Sequence, residues 1–161
     1  MYSQEKHLDN LLRHKELVKD AAILLGKRLM EEGKAELGKQ IIMRGFAHDA
    51  SKFRGIEWEY LHAGNDVDKE KLKEAIHQHQ CFNAHHPEYW GGMENMDQVS
   101  IGELCCDWLA RAQEFGTDLR EYIEKKANGR FHIDTCSQQK AWMDEFLAIL
   151  LEDAFVRDDA Q

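Results

Sequence analysis

The chain has 161 residues, of which 43% are hydrophobic and 32% charged, and a formal net charge of -9. That balance suits a folded domain rather than a disordered chain, and the negative charge disfavours extended DNA or RNA as a partner while leaving room for a local basic pocket. No apolar run approaches the roughly 20 residues that span a bilayer, and the charged start "MYSQEKHLDNLLRHK" lacks a signal-peptide apolar block, so neither membrane insertion nor export is expected.

A single proline, with no sustained alternation of Val, Ile and Thr, predicts an all-α protein: one domain over residues 1–161, a bundle of about six to seven helices. The first helix runs from Tyr2 and ends near Gly33. The second covers "KAELGKQIIMRGFAHDASKF", Lys34 to Phe53, and a short third covers "GIEWEYLH". After the turn-like "AGNDVD" comes a fourth, "KEKLKEAIHQHQ", and then a long loop from Cys81 to Val99. Ser100 and Glu103 have capping-box spacing and start the helix "GELCCDWLARAQEF". "TDLREYIEKKANG" follows, with Gly129 near its end, and "TCSQQKAWMDEFLAILLEDAF" is last, leaving "VRDDAQ" as a frayed terminus. Cys81, Cys105, Cys106 and Cys136 form no CxxC pair and read as reduced thiols of a cytoplasmic protein.

Histidine is the unevenly distributed residue. Four of the nine, His77, His79, His85 and His86, fall in "IHQHQCFNAHHPEYW". Helical spacing places His79 on the apolar face with Leu72, Ala75 and Ile76, and turns His77 about 200° away, towards substrate or solvent. Pro87 holds His86 extended, and extended neighbours point apart, so one of His85 and His86 faces a metal and the other is free to touch substrate. Tyr89 and Trp90 offer an aromatic wall, or a plug that pins the loop. In the first helix His14 shares the inward stripe of Leu11 and Val18, where it is either a core histidine or a ligand. In the second, His48 and Asp49 fall on one face with Ile41 and Gly45; an inward carboxylate needs a metal or a basic partner. Lys52 and Arg54 follow, suited either to a phosphate oxygen or to the helix dipole. Asp107 borders the stripe Ile101, Leu104, Cys105, Trp108, Ala112 and Phe115, as a ligand or as a rung between Glu103 and Arg111.

The ordered set His14, His48-Asp49, His79, His85-His86, Asp107 resembles the HD-domain superfamily of metal-dependent phosphohydrolases, all-helical proteins with one or two metals. Closer still, "HDASKF", Glu57 to Tyr60, His77 to Trp90 and Asp107-Trp108 resemble an uncharacterised HD-like family of phage and bacterial genomes, over about residues 7 to 110. The resemblance implies an HD-like bundle. It also implies His14, His48, Asp49 and Asp107 on a first metal, with His79 and His85 or His86 completing it or holding a second. A glutamate common after the HD pair is replaced by Lys52, which leaves Glu57, Glu59 or a spare histidine as the general base.

The expected activity is hydrolysis of a nucleotide or other small phosphorylated metabolite by metal-activated water. Asp49, Lys52 and His86 are the catalytic candidates, and Lys52, Arg54, His77 and Tyr89 line the substrate. Mixed nitrogen and oxygen ligands suit Mn, Fe, Co, Ni or Zn, one or two ions. A di-iron oxygenase of the HD-like type and a non-catalytic metal- or nucleotide-binding module are the alternatives. A small phosphorylated molecule is the expected partner, and a homodimer is allowed.

Overall fold

In the computed structural model, which describes residues 3–62, 67–127 and 133–158, the chain is all-α, with no strand among the described residues. The helices are α1 (Gln4–Glu31), α2 (Ala35–Ala47), α3 (Gly55–Tyr60), α4 (Lys69–Phe82), α5 (Pro87–Trp90), α6 (Gln98–Phe115), α7 (Leu119–Tyr122) and α8 (Gln138–Asp158). Residues 63–66 of the expected "AGNDVD" turn, Gly129 and residues 159–161 lie outside the described part; of "VRDDAQ", Val156 to Asp158 belong to α8 rather than to a frayed end.

Antiparallel α1 and α2 pack along their length, and α6 and α8 close the core behind them. Val18, Leu25, Leu29, Ile41, Ile101, Leu104, Phe146 and Leu150 are among its fully or almost fully buried members. The α1–α2 approach depends on glycine: a Cβ on Gly38 would collide with the carbonyl oxygen of Gly26, a backbone atom that cannot swing aside. Gly38→Ala is therefore expected to lower stability by about 1–3 kcal/mol despite alanine's better helix propensity. Urea unfolding checks this; an unchanged midpoint would mean that the two helices separate without penalty.

Two local features differ from the sequence-based expectation, and both build the site. The second helix stops at Ala47. His48 leaves it with φ -49° and ψ 133°, and Asp49 is left-handed at φ 55° before a 3-10 turn, Ala50–Phe53. His48 and Asp49 thus sit on a chain break rather than on a helix face. Asp is among the few non-glycine residues that tolerate this conformation. Lys15 Nζ fixes the break by donating to the His48 carbonyl oxygen at 2.5 Å. Secondly, α6 starts earlier than the capping box suggests. Asp97 caps it, its carboxylate accepting from Ser100 N at 2.7 Å, and Glu103 is left to face inward.

Candidate metal centre

Four imidazoles meet where α1, the α2 break, α4 and the loop before α5 converge on α6. In all four, Nδ1 bonds a carboxylate. His14 pairs with Glu114 Oε1 at 3.2 Å, His48 with Glu103 Oε1 at 2.9 Å, His79 with Glu57 Oε2 at 2.8 Å, and His85 with Glu103 Oε1 at 3.2 Å. A carboxylate only accepts, so Nδ1 carries the proton in each ring and Nε2 presents its lone pair on the other side. Each carboxylate is itself anchored: Glu103 by Arg44 Nε at 2.7 Å, Glu57 by Ser51 Oγ at 2.8 Å, and Glu114 by Arg111 Nη1 at 2.9 Å.

The four Nε2 atoms surround Asp49. Its Oδ2 stands 3.5 Å from His48 Nε2 and 3.7 Å from His14 Nε2; its Oδ1 stands 3.3 Å from His79 Nε2 and 3.5 Å from His85 Nε2. Asp107 Oδ1 joins the first pair, 3.1 Å from His14 Nε2 and 3.8 Å from His48 Nε2. Ligand atoms about 2.1 Å from a tetrahedral ion stand about 3.4 Å from one another, which is the spacing seen here. The residues fit a metal on a second count. Asp49 Oδ1, Asp107 Oδ1 and His86 Nε2 are buried without a hydrogen bond among the described residues, a costly state for a polar atom unless a cation takes it. His14 Nε2 and His48 Nε2, 3.3 Å apart, likewise need a proton or a cation between their lone pairs. The donors divide into two sets on either side of Asp49: His14 and His48 at Oδ2, with Asp107 beside them, and His79 and His85 at Oδ1, with His86 beside them. His48, His85 and Glu103 also lie close together, but there the two rings donate to Glu103, which is a support rather than a third site.

The electrostatics agree with this division. Burial alone would raise the Asp49 carboxyl; His48, Lys52 and the adjacent His79 ring outweigh it and hold it well below the usual carboxylate range. Asp107 is held down in the same way by the adjacent His14 ring and by His48. Burial, then the neighbouring His85 and His79, push His86 down to about 2, so its ring is neutral. For His14 burial is again the largest influence, but the neighbouring carboxylates of Asp107 and Glu114 overcome it and raise the ring above its ordinary value.

A pH prediction follows for metal-free protein. A raised folded pKa at His14 means the native state keeps a proton that the unfolded chain gives up first. That stabilisation is complete below about pH 6.5 and fades as pH rises through the folded value. His86, shifted down, is neutral in both states above about pH 6.5, so it adds no slope there. In chelator, the melting temperature is expected to fall from pH 6.5 upwards. With a divalent transition metal the slope should reverse, because binding needs unprotonated Nε2 atoms. Parallel slopes with and without metal would show that the imidazoles do not bind it.

The centre forms the floor of a cavity of ≈ 860 Å³. Lys52 lines it, with Nζ 2.6 Å from Asp49 Oδ2, as do Arg13 and Arg111. The other expected substrate contacts, Arg54, His77 and Tyr89, do not line this cavity. Arg54 is exposed, outside the lining. His77 stays on the solvent face because α4 continues to Phe82, 3.7 Å from Cys81 Sγ through its Nδ1. Tyr89 packs beside Trp90, also outside the lining. The expectation that His85 and His86 point to opposite sides is not met. His85 lies in a turn, not in extended chain, so both rings face the cavity with centroids 4.2 Å apart. Glu57, a candidate base, is instead buried on His79, and Glu59 is exposed.

Sequence reasoning missed the roles of Glu103 and Glu114. Their signal was available: Glu103, Asp107 and Glu114 fall within about 40° of one another on α6, an acidic stripe beside its apolar one. A family model described as "Family of unknown function (DUF5662)" matches residues 3–155, which takes in α7 and most of α8 as well as the motif-bearing part. No curated protein and no solved structure matches the chain.

Proposed function

We propose that this chain, which belongs to the DUF5662 family, is a metal-dependent phosphohydrolase acting on a small phosphorylated substrate. The observation that carries the reading is the set of carboxylate-held imidazoles, with every Nε2 within 3.7 Å of an Asp49 oxygen. Such carboxylate–histidine pairs orient metal ligands and fix their tautomer. The resemblance to the HD-domain superfamily adds the same ligand order. In this reading His14, His48, Asp107 and Asp49 Oδ2 hold one ion, and His79, His85, His86 and Asp49 Oδ1 hold a second. Ions held there would activate water as a nucleophile near neutral pH and offset charge on the phosphoryl group.

The chain's own side chains do the rest. Of the lining carboxylates, Asp49 and Asp107 are ligands and Glu114 is engaged by His14 and Arg111, so none is spare as a general base. Lys52 faces the cavity beside Asp49 and is placed to take a phosphoryl oxygen, with Arg111 and Arg13 further along the wall. This cationic wall, on a chain of net charge -9, favours phosphate over the oxygen-activating di-iron alternative, which would use the same ligands.

The test is metal analysis of protein purified without chelator, followed by a screen of phosphomonoesters under Mn, Co and Ni. At least one ion per chain and turnover of some phosphomonoester are expected. Absence of stoichiometric metal ends the proposal. Tight phosphate-ester binding without turnover under any metal would identify a binding module, and iron with oxygen consumption would identify the oxygenase.

A further inference from the structure

We propose that Ser51 is a positioning residue for His79: acting through Glu57, it fixes the ring with Nε2 towards Asp49 and so sets the ion affinity of one half of the centre. The positioning stands on hydrogen-bond geometry; its consequence for an ion rests on the metal-dependent reading above.

Glu57 is buried, only 1% exposed. Its Oε2 accepts from His79 Nδ1 at 2.8 Å and from Ser51 Oγ at 2.8 Å. Asn83 decides which way the serine hydroxyl points. Its Nδ2 donates to Ser51 Oγ at 3.0 Å and to the His79 carbonyl oxygen at 2.8 Å. An amide nitrogen has two hydrogens, and these acceptors take both. The same nitrogen stands 3.1 Å from His79 Nδ1, but that ring proton is already given to Glu57. Because Ser51 Oγ receives the amide, its own hydrogen is left for Glu57. Donation therefore runs one way, from Asn83 to Ser51 to Glu57, and ends on the oxygen that holds the imidazole proton.

The network closes through the centre. Ser51 follows Asp49 by two residues, in the 3-10 turn Ala50–Phe53 after the α2 break. Asp49 Oδ1 lies 3.3 Å from His79 Nε2. One turn thus places both the carboxylate that faces the ring and the hydroxyl that orients it from behind. The support is also confined to this half. Glu103 serves His48 and His85, and Glu114 serves His14. Those carboxylates are anchored by guanidinium groups, Arg44 and Arg111, through charged hydrogen bonds. The anchors of Glu57 are neutral: Ser51 and, at 3.4 Å, Gln78. Loss of the serine hydroxyl removes the shorter of these from a buried carboxylate, while the Nδ1 bonds of His14 and His48 keep their partners.

The experiment has two arms, both on the full chain. The first follows histidine tautomers by long-range proton–nitrogen correlation spectra in chelator, for wild type, Ser51→Ala and Ser51→Thr. Wild type is expected to hold His79 with Nδ1 protonated. Ser51→Ala should mix the two tautomers at His79 and leave His14 unchanged, and Ser51→Thr, which keeps a hydroxyl, should restore the wild-type spectrum. The second arm titrates Co(II) against a competing chelator. One ion should bind Ser51→Ala about tenfold more weakly and the other as in wild type, with Ser51→Thr restoring the first. Glu114→Ala is the reciprocal control and should weaken the other ion. The same His79 tautomer in wild type and Ser51→Ala overturns the proposal. So does equal weakening of both ions, the mark of a general loss of stability that melting of the same variants would report. A wild type that takes up no ion removes the metal-dependent reading, and with it the effect on affinity; the first arm then still decides whether Ser51 orients His79.

Discussion

Asp49→Asn is expected to empty both halves of the centre at once and to lower phosphomonoester hydrolysis by about a thousandfold, the several kcal/mol that metal activation supplies. Asp49 is the one residue whose two oxygens face the two histidine sets, His14 and His48 through Oδ2, His79 and His85 through Oδ1. Asparagine keeps the size and tolerates the left-handed backbone at φ 55°. It is therefore a cleaner substitution than alanine, which would add backbone strain. It also keeps an oxygen for Lys52 Nζ, so circular dichroism should report an intact helical fold. Metal analysis and rate are read on the same preparation. An Asp49→Asn protein that retains both metal and activity would refute the shared-carboxylate assignment outright.

The second large effect is expected at a residue that touches neither metal nor substrate. Glu103 receives His48 Nδ1 at 2.9 Å, His85 Nδ1 at 3.2 Å and Arg44 Nε at 2.7 Å. Burial disfavours its charge, but the hydrogen bonds from His48 and His85 outweigh this and keep the carboxylate ionised. Glu103→Ala leaves two buried donors and a guanidinium without their acceptor, a loss of about 3–5 kcal/mol. The histidines also lose their orientation, so metal affinity should fall about 10–100-fold. Urea unfolding in chelator reads the first effect, and metal titration of the folded variant reads the second. Glu103→Gln retains one acceptor oxygen and should show a smaller loss in both. Unchanged metal affinity in Glu103→Ala would show that the rings are positioned by packing alone.

Helical class and the histidines and aspartates that converge on the candidate centre were legible in the sequence because both depend on local regularities. One proline and inward stripes such as Leu11, His14 and Val18 fix helices without reference to the rest of the chain. Where the expectation failed, a longer-range or steric condition decided. The break at His48-Asp49 obeys no periodicity; it is held by Lys15 from another helix. The Ser100–Glu103 pair satisfied a local capping rule, but Asp97 occupies the cap and Glu103 is drawn inward by histidines from the α2 break and the loop after α4. His85 and His86 were assigned opposite directions by a rule for extended chain, and a turn removed its premise. Phe115 continued an apolar stripe past the point where the helix has a core to face.

The convergence of ligands from distant lengths of chain also has a polymer-physical consequence. His14 and its supporting Glu114 are separated by 100 residues, and the other ligands lie between them. An ion held by such a set closes large loops in the chain, as a covalent cross-link would. For a loop of this length a permanent cross-link is worth about 4–5 kcal/mol through the entropy it removes from the unfolded ensemble. All four cysteines are unpaired thiols, so no disulfide supplies such a closure. A metal would act as a reversible staple, and native-state lifetime would then follow the supply of ion as well as the packing of α1, α2, α6 and α8.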